Sequence, residues 1–174
     1  MSGGGTGTGD LFNAGAAIVK GIEFSATCEI LNSTDKGYKL PLTFTYTLTD
    51  TKLNSDFNSP IWGNVEQGDE IPYIAKNQFA LTAAFETEKF DLALSGKYVD
   101  AFRTLAGAGA IPSQNKVNSN FIIDLSAKYH LSQKVSLMSN IVNLMDKQYA
   151  VSRVPAGLRP GMPFSINFGI MAQL

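Results

Sequence analysis

Apolar and polar residues alternate with period two along most of this chain, which predicts strands with one apolar and one polar face. The cleanest stretch sets Leu42, Phe44, Tyr46 and Leu48 against Thr43, Thr45, Thr47 and Thr49. Before it, from about Val19 to Leu31, Ile22, Phe24, Ala26, Cys28 and Ile30 oppose Glu23, Ser25, Thr27 and Glu29. Gln78 to Thr87 lines up Phe79, Leu81, Ala83 and Phe85. Phe90 to Phe102 sets Phe90, Leu92, Leu94 and Tyr98 against Asp91, Ser95 and Lys97. A fifth stretch sets Phe121, Ile123, Leu125, Ala127, Tyr129 and Leu131 against Asn120, Asp124, Ser126, Lys128 and His130. A sixth, Val135 to Leu144, sets Val135, Leu137 and Ile141 against Ser136 and Asn140. The last places Phe164, Ile166, Phe168, Ile170, Ala172 and Leu174 opposite Ser165, Asn167, Gly169, Met171 and Gln173. Seven strands are therefore predicted, rich in β-branched and aromatic residues and with no proline in an interior.

The connections alternate between short and long. Asn32 to Gly37, Glu86 to Lys89 and Leu131 to Lys134 are short and polar; Thr51 to Ala75, Arg103 to Ser119 and Gln148 to Gly161 are long. Membrane barrels have tight turns at one end and long loops at the other. An ordinary soluble domain rarely has several loops above about 12 residues. A sandwich strand is usually about 5–6 residues with a charged outer face. These strands are longer, and their polar faces are mostly Thr, Ser, Asn and Ala. The fold class is thus all-β: an antiparallel, up-and-down transmembrane β-barrel portion. Tyr38, Trp62, Tyr73, Phe102, Phe121, Tyr129 and Tyr149 fall near the predicted strand ends, where interfacial aromatic girdles belong.

Composition narrows the function. The net charge of −1 gives no basic footprint for nucleic acid. Cys28 is the only cysteine, which excludes disulfide scaffolds and Cys-based zinc sites, and His130 is the only histidine, so neither a metal site nor a cofactor is implied. No apolar run approaches the roughly 20 residues of a membrane helix, but barrel strands need only about 9–11 of alternating pattern. Residues 1–12 form a Gly-rich, flexible lead without the apolar core of a secretion signal, so the chain is expected to be a piece of a longer protein.

Several stretches, in order, resemble the TonB-dependent outer-membrane receptors, most closely their ferric-citrate branch. Asn13-Ala14-Gly15 with Lys20-Gly21-Ile22-Glu23 is similar to that family's strand start. Leu42 to Asp50 resembles its Thr-rich strand, and Glu70-Ile71-Pro72-Tyr73-Ile74 with Gln78 its I-P-Y stretch. Ile123-Asp124-Leu125, then Asn143-Leu144-Met145-Asp146-Lys147-Gln148-Tyr149 and Gly157-Leu158-Arg159-Pro160-Gly161-Met162-Pro163, complete the set. Ala75, Asn77, Met145, Phe164 and the final Leu174 depart from the family's usual residues.

The resemblance implies that residues 13–174 are the C-terminal segment of a barrel of about 22 strands, incomplete without the other strands and the plug that fills it. It implies the bacterial outer membrane, with its lipid, as location. It also implies uptake of a ferric chelate, ferric citrate or another siderophore, energised by TonB through an N-terminal segment outside this chain, after insertion by the barrel-assembly machinery. Ferric-citrate-like ligands are anionic and guanidinium binds carboxylates with a bidentate fork, so the outer-loop cations Arg103, Arg153 and Arg159 are the ligand candidates. Arg159, inside the G-L-R-P-G motif, is also a candidate for a structural role.

The lumen-facing acids Glu23, Glu29, Asp91 and Asp124 are expected to need partners from segments outside the chain. Catalysis is not expected. Asp124, Ser126, Lys128 and His130 share a strand face, but i,i+2 neighbours stand about 6.6–6.8 Å apart, too far for a triad. Gly107-Ala108-Gly109 lacks the Lys-Ser/Thr of a phosphate loop. Two other readings make different predictions. A small standalone outer-membrane barrel or adhesin-like interaction protein would close with another copy. A soluble lipocalin-like carrier would have an apolar interior, against which the Thr-rich faces argue.

Overall fold

The computed structural model describes residues 15–33, 37–154 and 157–173. The Gly-rich lead, Asn13 and Ala14, part of the first short turn, Pro155, Ala156 and Leu174 lie outside the described residues. In chain order the strands are β1 (Ala17–Ser33), β2 (Tyr38–Leu53), β3 (Phe57–Ser59), β4 (Gly63–Val65), β5 (Asn77–Thr87), β6 (Phe90–Val99), β7 (Phe102–Arg103), β8 (Lys116–Val117), β9 (Asn120–His130), β10 (Val135–Val142), β11 (Ala150–Ser152), β12 (Arg159–Pro160) and β13 (Ser165–Ala172). Seven of them form one antiparallel meander, β1-β2-β5-β6-β9-β10-β13, and the other six pair as ribbons inside the long connections. The seven predicted strands and the alternation of short and long connections are thus present.

Register gives the two faces different chemistry. On one, Thr27 lies opposite Thr43, Thr43 opposite Thr82, Thr82 opposite Ser95 and Ser95 opposite Asp124. This polar row crosses five strands, and the Thr27–Thr43 and Thr82–Ser95 hydroxyls hydrogen-bond at 3.0 Å. On the other face an aromatic row crosses the same strands: Phe24, Tyr46, Phe79, Tyr98 and Phe121. The Phe79 and Tyr98 rings stack at 4.9 Å. A second aromatic group, Tyr38, Phe85, Phe90 and Tyr129, sits toward the short turns, with Phe90 directly opposite Tyr129. The eight residue steps from Tyr98 to Phe90 span about 27 Å of strand, which a tilt of about 35–45° reduces to roughly 19–22 Å, most of the 25 Å height of a membrane barrel's apolar band. The end of the sheet is bare on this face, with Phe168 at 82 % and Ile170 at 74 % exposure.

Two expectations need correction. β1 carries a bulge, because Glu29 pairs with Pro41 and Leu31 with Leu40, leaving Ile30 without a partner. The bulge shifts the alternation, so Leu31, opposite Leu40, joins the apolar face of Ile22. Pro41 does lie inside a strand, β2. It is tolerated because it sits opposite this irregularity, where the β2–β5 pairing is also interrupted between Lys39 and Leu42.

The sheet itself has little buried interior. Among the described residues the buried apolar side chains are Leu53, Val65, Ala75, Val117 and Ile122. The first four belong to the long connections or to the strand end that enters them. The core therefore lies at the long-loop end, beyond the sheet.

Candidate functional site

The long connections fold together into a cap. The first carries the β3–β4 hairpin, where the Ser59 hydroxyl accepts the Ile61 and Trp62 amides and closes the turn. The Phe57 and Trp62 rings lie 6.3 Å apart. The first and second connections are joined by main chain: Glu70 N–H donates to Gly107 O at 2.9 Å, Tyr73 N–H to Arg103 O at 2.9 Å and Ala106 N–H to Trp62 O at 3.2 Å. Trp62, Tyr73, Phe102 and Tyr149, expected in girdles, belong to this cap. Of the predicted set, Tyr38, Phe121 and Tyr129 lie in the aromatic rows. Periodicity cannot distinguish an aromatic at a strand end from one a few residues beyond it.

Arg103 is the cap's keystone. It is 4 % exposed; its Nε donates to Glu70 Oε2 at 2.7 Å and its Nη2 to Gly109 O at 3.0 Å. Gly107 packs so close to this guanidinium that a Cβ there would sit 2.8 Å from Nη1. Arg159 is exposed in β12, beside Ser152 of β11. Arg153 is half-buried, and its Nε is buried with no hydrogen-bond partner among the described residues. The three candidates are therefore separated: one is committed to the cap, one is exposed on a ribbon, and one carries an unspent donor.

Arg153 lines a cavity of about 590 Å³ between the second and third connections, together with Lys116, Lys147, Tyr149, Leu158 and Met162. This volume is in the usual range for small-molecule sites. Asp146 is the only carboxylate on its lining, and Asp146 Oδ1 is already engaged by the Phe164 amide at 3.2 Å. A lining with cations in excess, in a chain of net charge −1, selects for anions. Lys116 and Lys147 were not among the ligand candidates named from sequence, because only folding brings the two connections together. Gly161 keeps the wall thin: its amide donates to Tyr149 O at 2.8 Å, and a Cβ would stand 2.0 Å from Tyr149 Cζ. Gly161→Ala is expected to displace the Tyr149 ring at a cost of about 1–2 kcal/mol, seen as a lower unfolding midpoint and a more solvent-exposed tyrosine.

The N-L-M-D-K-Q-Y stretch is a clasp. Asn143 is fully buried in the left-handed region, with φ of 53°. Its side chain accepts the Lys147 amide at 2.9 Å and donates to Lys147 O at 3.0 Å and Met162 O at 2.9 Å. Its own N–H donates to Asp124 Oδ1 at 2.7 Å. Of the acids expected to need outside partners, three are therefore satisfied within the chain. Asp124 holds Asn143, Glu29 accepts from Asn32, and Asp91 Oδ2 meets His130 Nε2 at 3.0 Å.

His130 Nδ1 in turn meets Ser136 Oγ at 3.1 Å, so Asp91, His130 and Ser136 form a chain across β6, β9 and β10. Sequence reasoning looked along one strand and missed this cross-strand set. Ser136 is 7 % exposed, and β10 is hydrogen-bonded to strands on both sides, which leaves no free N–H pair for an oxyanion. The geometry is that of a strut.

Long antiparallel strands, a belted apolar face, a hydroxyl-lined opposite face and long loops gathered at one end define the wall of a transmembrane β-barrel. A family model described as "TonB dependent receptor-like, beta-barrel" matches residues 1–144, and the chain belongs to that family of bacterial outer-membrane proteins. The G-L-R-P-G stretch and β13 lie beyond that match. No curated protein matches the sequence.

Solved structures are similar in fold. The siderophore receptor PiuA from Acinetobacter baumannii has a TM-score of 0.67 at 20 % identity, covering 90 % of this chain and 22 % of its own. The copper transporter OprC has 0.61 at 16 %, covering 90 % and 24 %. The ferric enterobactin receptor PfeA from Pseudomonas aeruginosa has 0.58 at 18 %, covering 90 % and 22 %. The chain thus spans less than a quarter of the length of each.

Proposed function

We propose that this chain is the C-terminal wall and part of the outer mouth of a receptor that takes up a ferric chelate across the outer membrane. The observation that carries this reading is the cavity between the second and third long loops. It lies at the end that faces outward in such barrels, with Lys116, Lys147 and Arg153 on its lining. A siderophore receptor and a ferric enterobactin receptor among the similar folds support iron as the cargo. The ferric-citrate branch is favoured by the motif order and by the cationic lining. In the intact receptor the hydroxyl-lined face would meet the plug, TonB would act on the plug from the periplasm, and the barrel-assembly machinery would insert the wall.

The reading is tested by disrupting the gene in its source cells and measuring uptake of radiolabelled ferric citrate and other ferric chelates under iron limitation. Loss of uptake for one chelate, restored by the intact gene, is expected; uptake unchanged for every chelate would overturn it. Arg153→Gln is expected to weaken binding of an anionic chelate to isolated outer membranes about tenfold, the worth of one charge-assisted hydrogen bond. Arg159→Gln, at an exposed position that is not itself on the cavity lining, is expected to change it far less.

A further inference from the structure

We infer that Tyr73 is the positioning residue that latches the third long loop, and with it Arg153, onto the other two. Tyr73 itself belongs to the first loop. Its N–H donates to Arg103 O at 2.9 Å and its ring lies 5.8 Å from that of Phe102, which ties it to the second. Its hydroxyl then takes both main-chain groups of a single residue in the third: it donates to Val154 O and accepts from Val154 N–H at 2.9 Å. One residue, through its main chain and its side chain, therefore ties all three loops together, across 81 positions of sequence at its farthest contact.

The backbone supports the assignment. Tyr73 has φ of 63°, a left-handed conformation that costs energy for a bulky side chain and persists only where the surroundings enforce it. Here the Arg103 carbonyl and the Phe102 ring hold the main chain, and the strained conformation aims the phenol at Val154. Val154 directly follows Arg153, whose Nε has no partner among the described residues. Among the described residues no hydrogen bond holds that Nε, so the path of the main chain beside it bears directly on where it sits. Tyr73 is not on the lining of the cavity. It acts on the site through the loop.

The latch is independent of any ligand; only its effect on binding rests on the uptake reading. The test uses the protein extracted from outer membranes in detergent, with folding checked by its heat-modifiable mobility. In the unaltered protein the Val154 amide is expected to exchange with deuterium more slowly than the exposed amides of Gln148 and Leu158. An unprotected Val154 would overturn the latch without any variant. In Tyr73→Phe, which keeps the ring on Phe102, Val154 exchange should rise roughly tenfold while Leu53 and Val117 stay protected, as expected for losing one hydrogen-bonding hydroxyl of ordinary strength. Unchanged Val154 exchange would sink the inference.

For binding of ferric citrate, Tyr73→Phe should weaken affinity severalfold and add nothing when combined with Arg153→Gln. Full additivity would show that Tyr73 does not act through Arg153. If the unaltered protein binds no ferric chelate, the uptake reading fails, while deuterium exchange still decides the latch.

Discussion

Asn143→Ala is expected to be the most damaging single substitution in this chain, lowering stability by about 3–5 kcal/mol. It would remove three side-chain hydrogen bonds at a site with no exposure, leaving the Lys147 amide, the Lys147 carbonyl and the Met162 carbonyl without their partner. It would also place alanine at φ of 53°, where asparagine is tolerated and alanine is not. Two controls separate these causes. Asn143→Gly relieves the backbone and loses the bonds, so it should recover only a minor part. Asn143→Asp keeps the acceptor but turns an oxygen toward two carbonyls, so it should be nearly as harmful as alanine. The readout is the temperature at which the heat-modifiable folded form is lost. An Asn143→Ala midpoint equal to that of the unaltered protein would show that the clasp is not a stability element.

Arg103→Ala comes next, at about 2–3 kcal/mol. The figure is below that for a fully buried ion pair because the Glu70 side chain is 45 % exposed and water can solvate it once the arginine is gone. Arg103 also fills space against Gly107 and holds the Gly109 carbonyl, so Arg103→Lys should not rescue it: a lysine cannot serve both acceptors from one planar fork. Limited proteolysis should show the second long loop cut faster, with the sheet intact. If Arg103→Ala instead lowered chelate affinity and left the loop as resistant as before, Arg103 would be a ligand contact.

The sheet was legible in the sequence because each strand carries its pattern locally. Leu42 to Leu48 against Thr43 to Thr49 can be read without knowing what lies beside it, and the connection lengths then order the strands. The failures share one cause. That Leu31 joins the outward face depends on a bulge set by the partner strand, and Pro41 is tolerated only because of that same irregularity. The Asp91–His130–Ser136 strut joins residues on three strands, so no single segment announces it.

The site was half legible for the same reason. The loop arginines could be named from composition and motif. Which of them is spent, on Glu70 and Gly109, and which retains a donor depends on residues from 33 and 6 positions away that only the folded cap brings near. Lys116 and Lys147 are ordinary surface lysines until two connections converge. Asn143 stood in plain view within a motif, but a left-handed turn leaves no periodic mark.

The cap has a consequence for how such a wall is built. Its contacts join loops that belong to different hairpins, so they exist only if every strand between them is paired in step. A slip of two residues between β5 and β6 would preserve the alternation of faces and satisfy the lipid equally well. It would carry the second loop about 6.6–6.8 Å along the strand, more than twice the length of a hydrogen bond. Glu70 would then miss Arg103, and Tyr73 would miss its carbonyl. The outer loops thus proofread the zippering of the strands beneath them, completing only on a wall whose threads have meshed correctly.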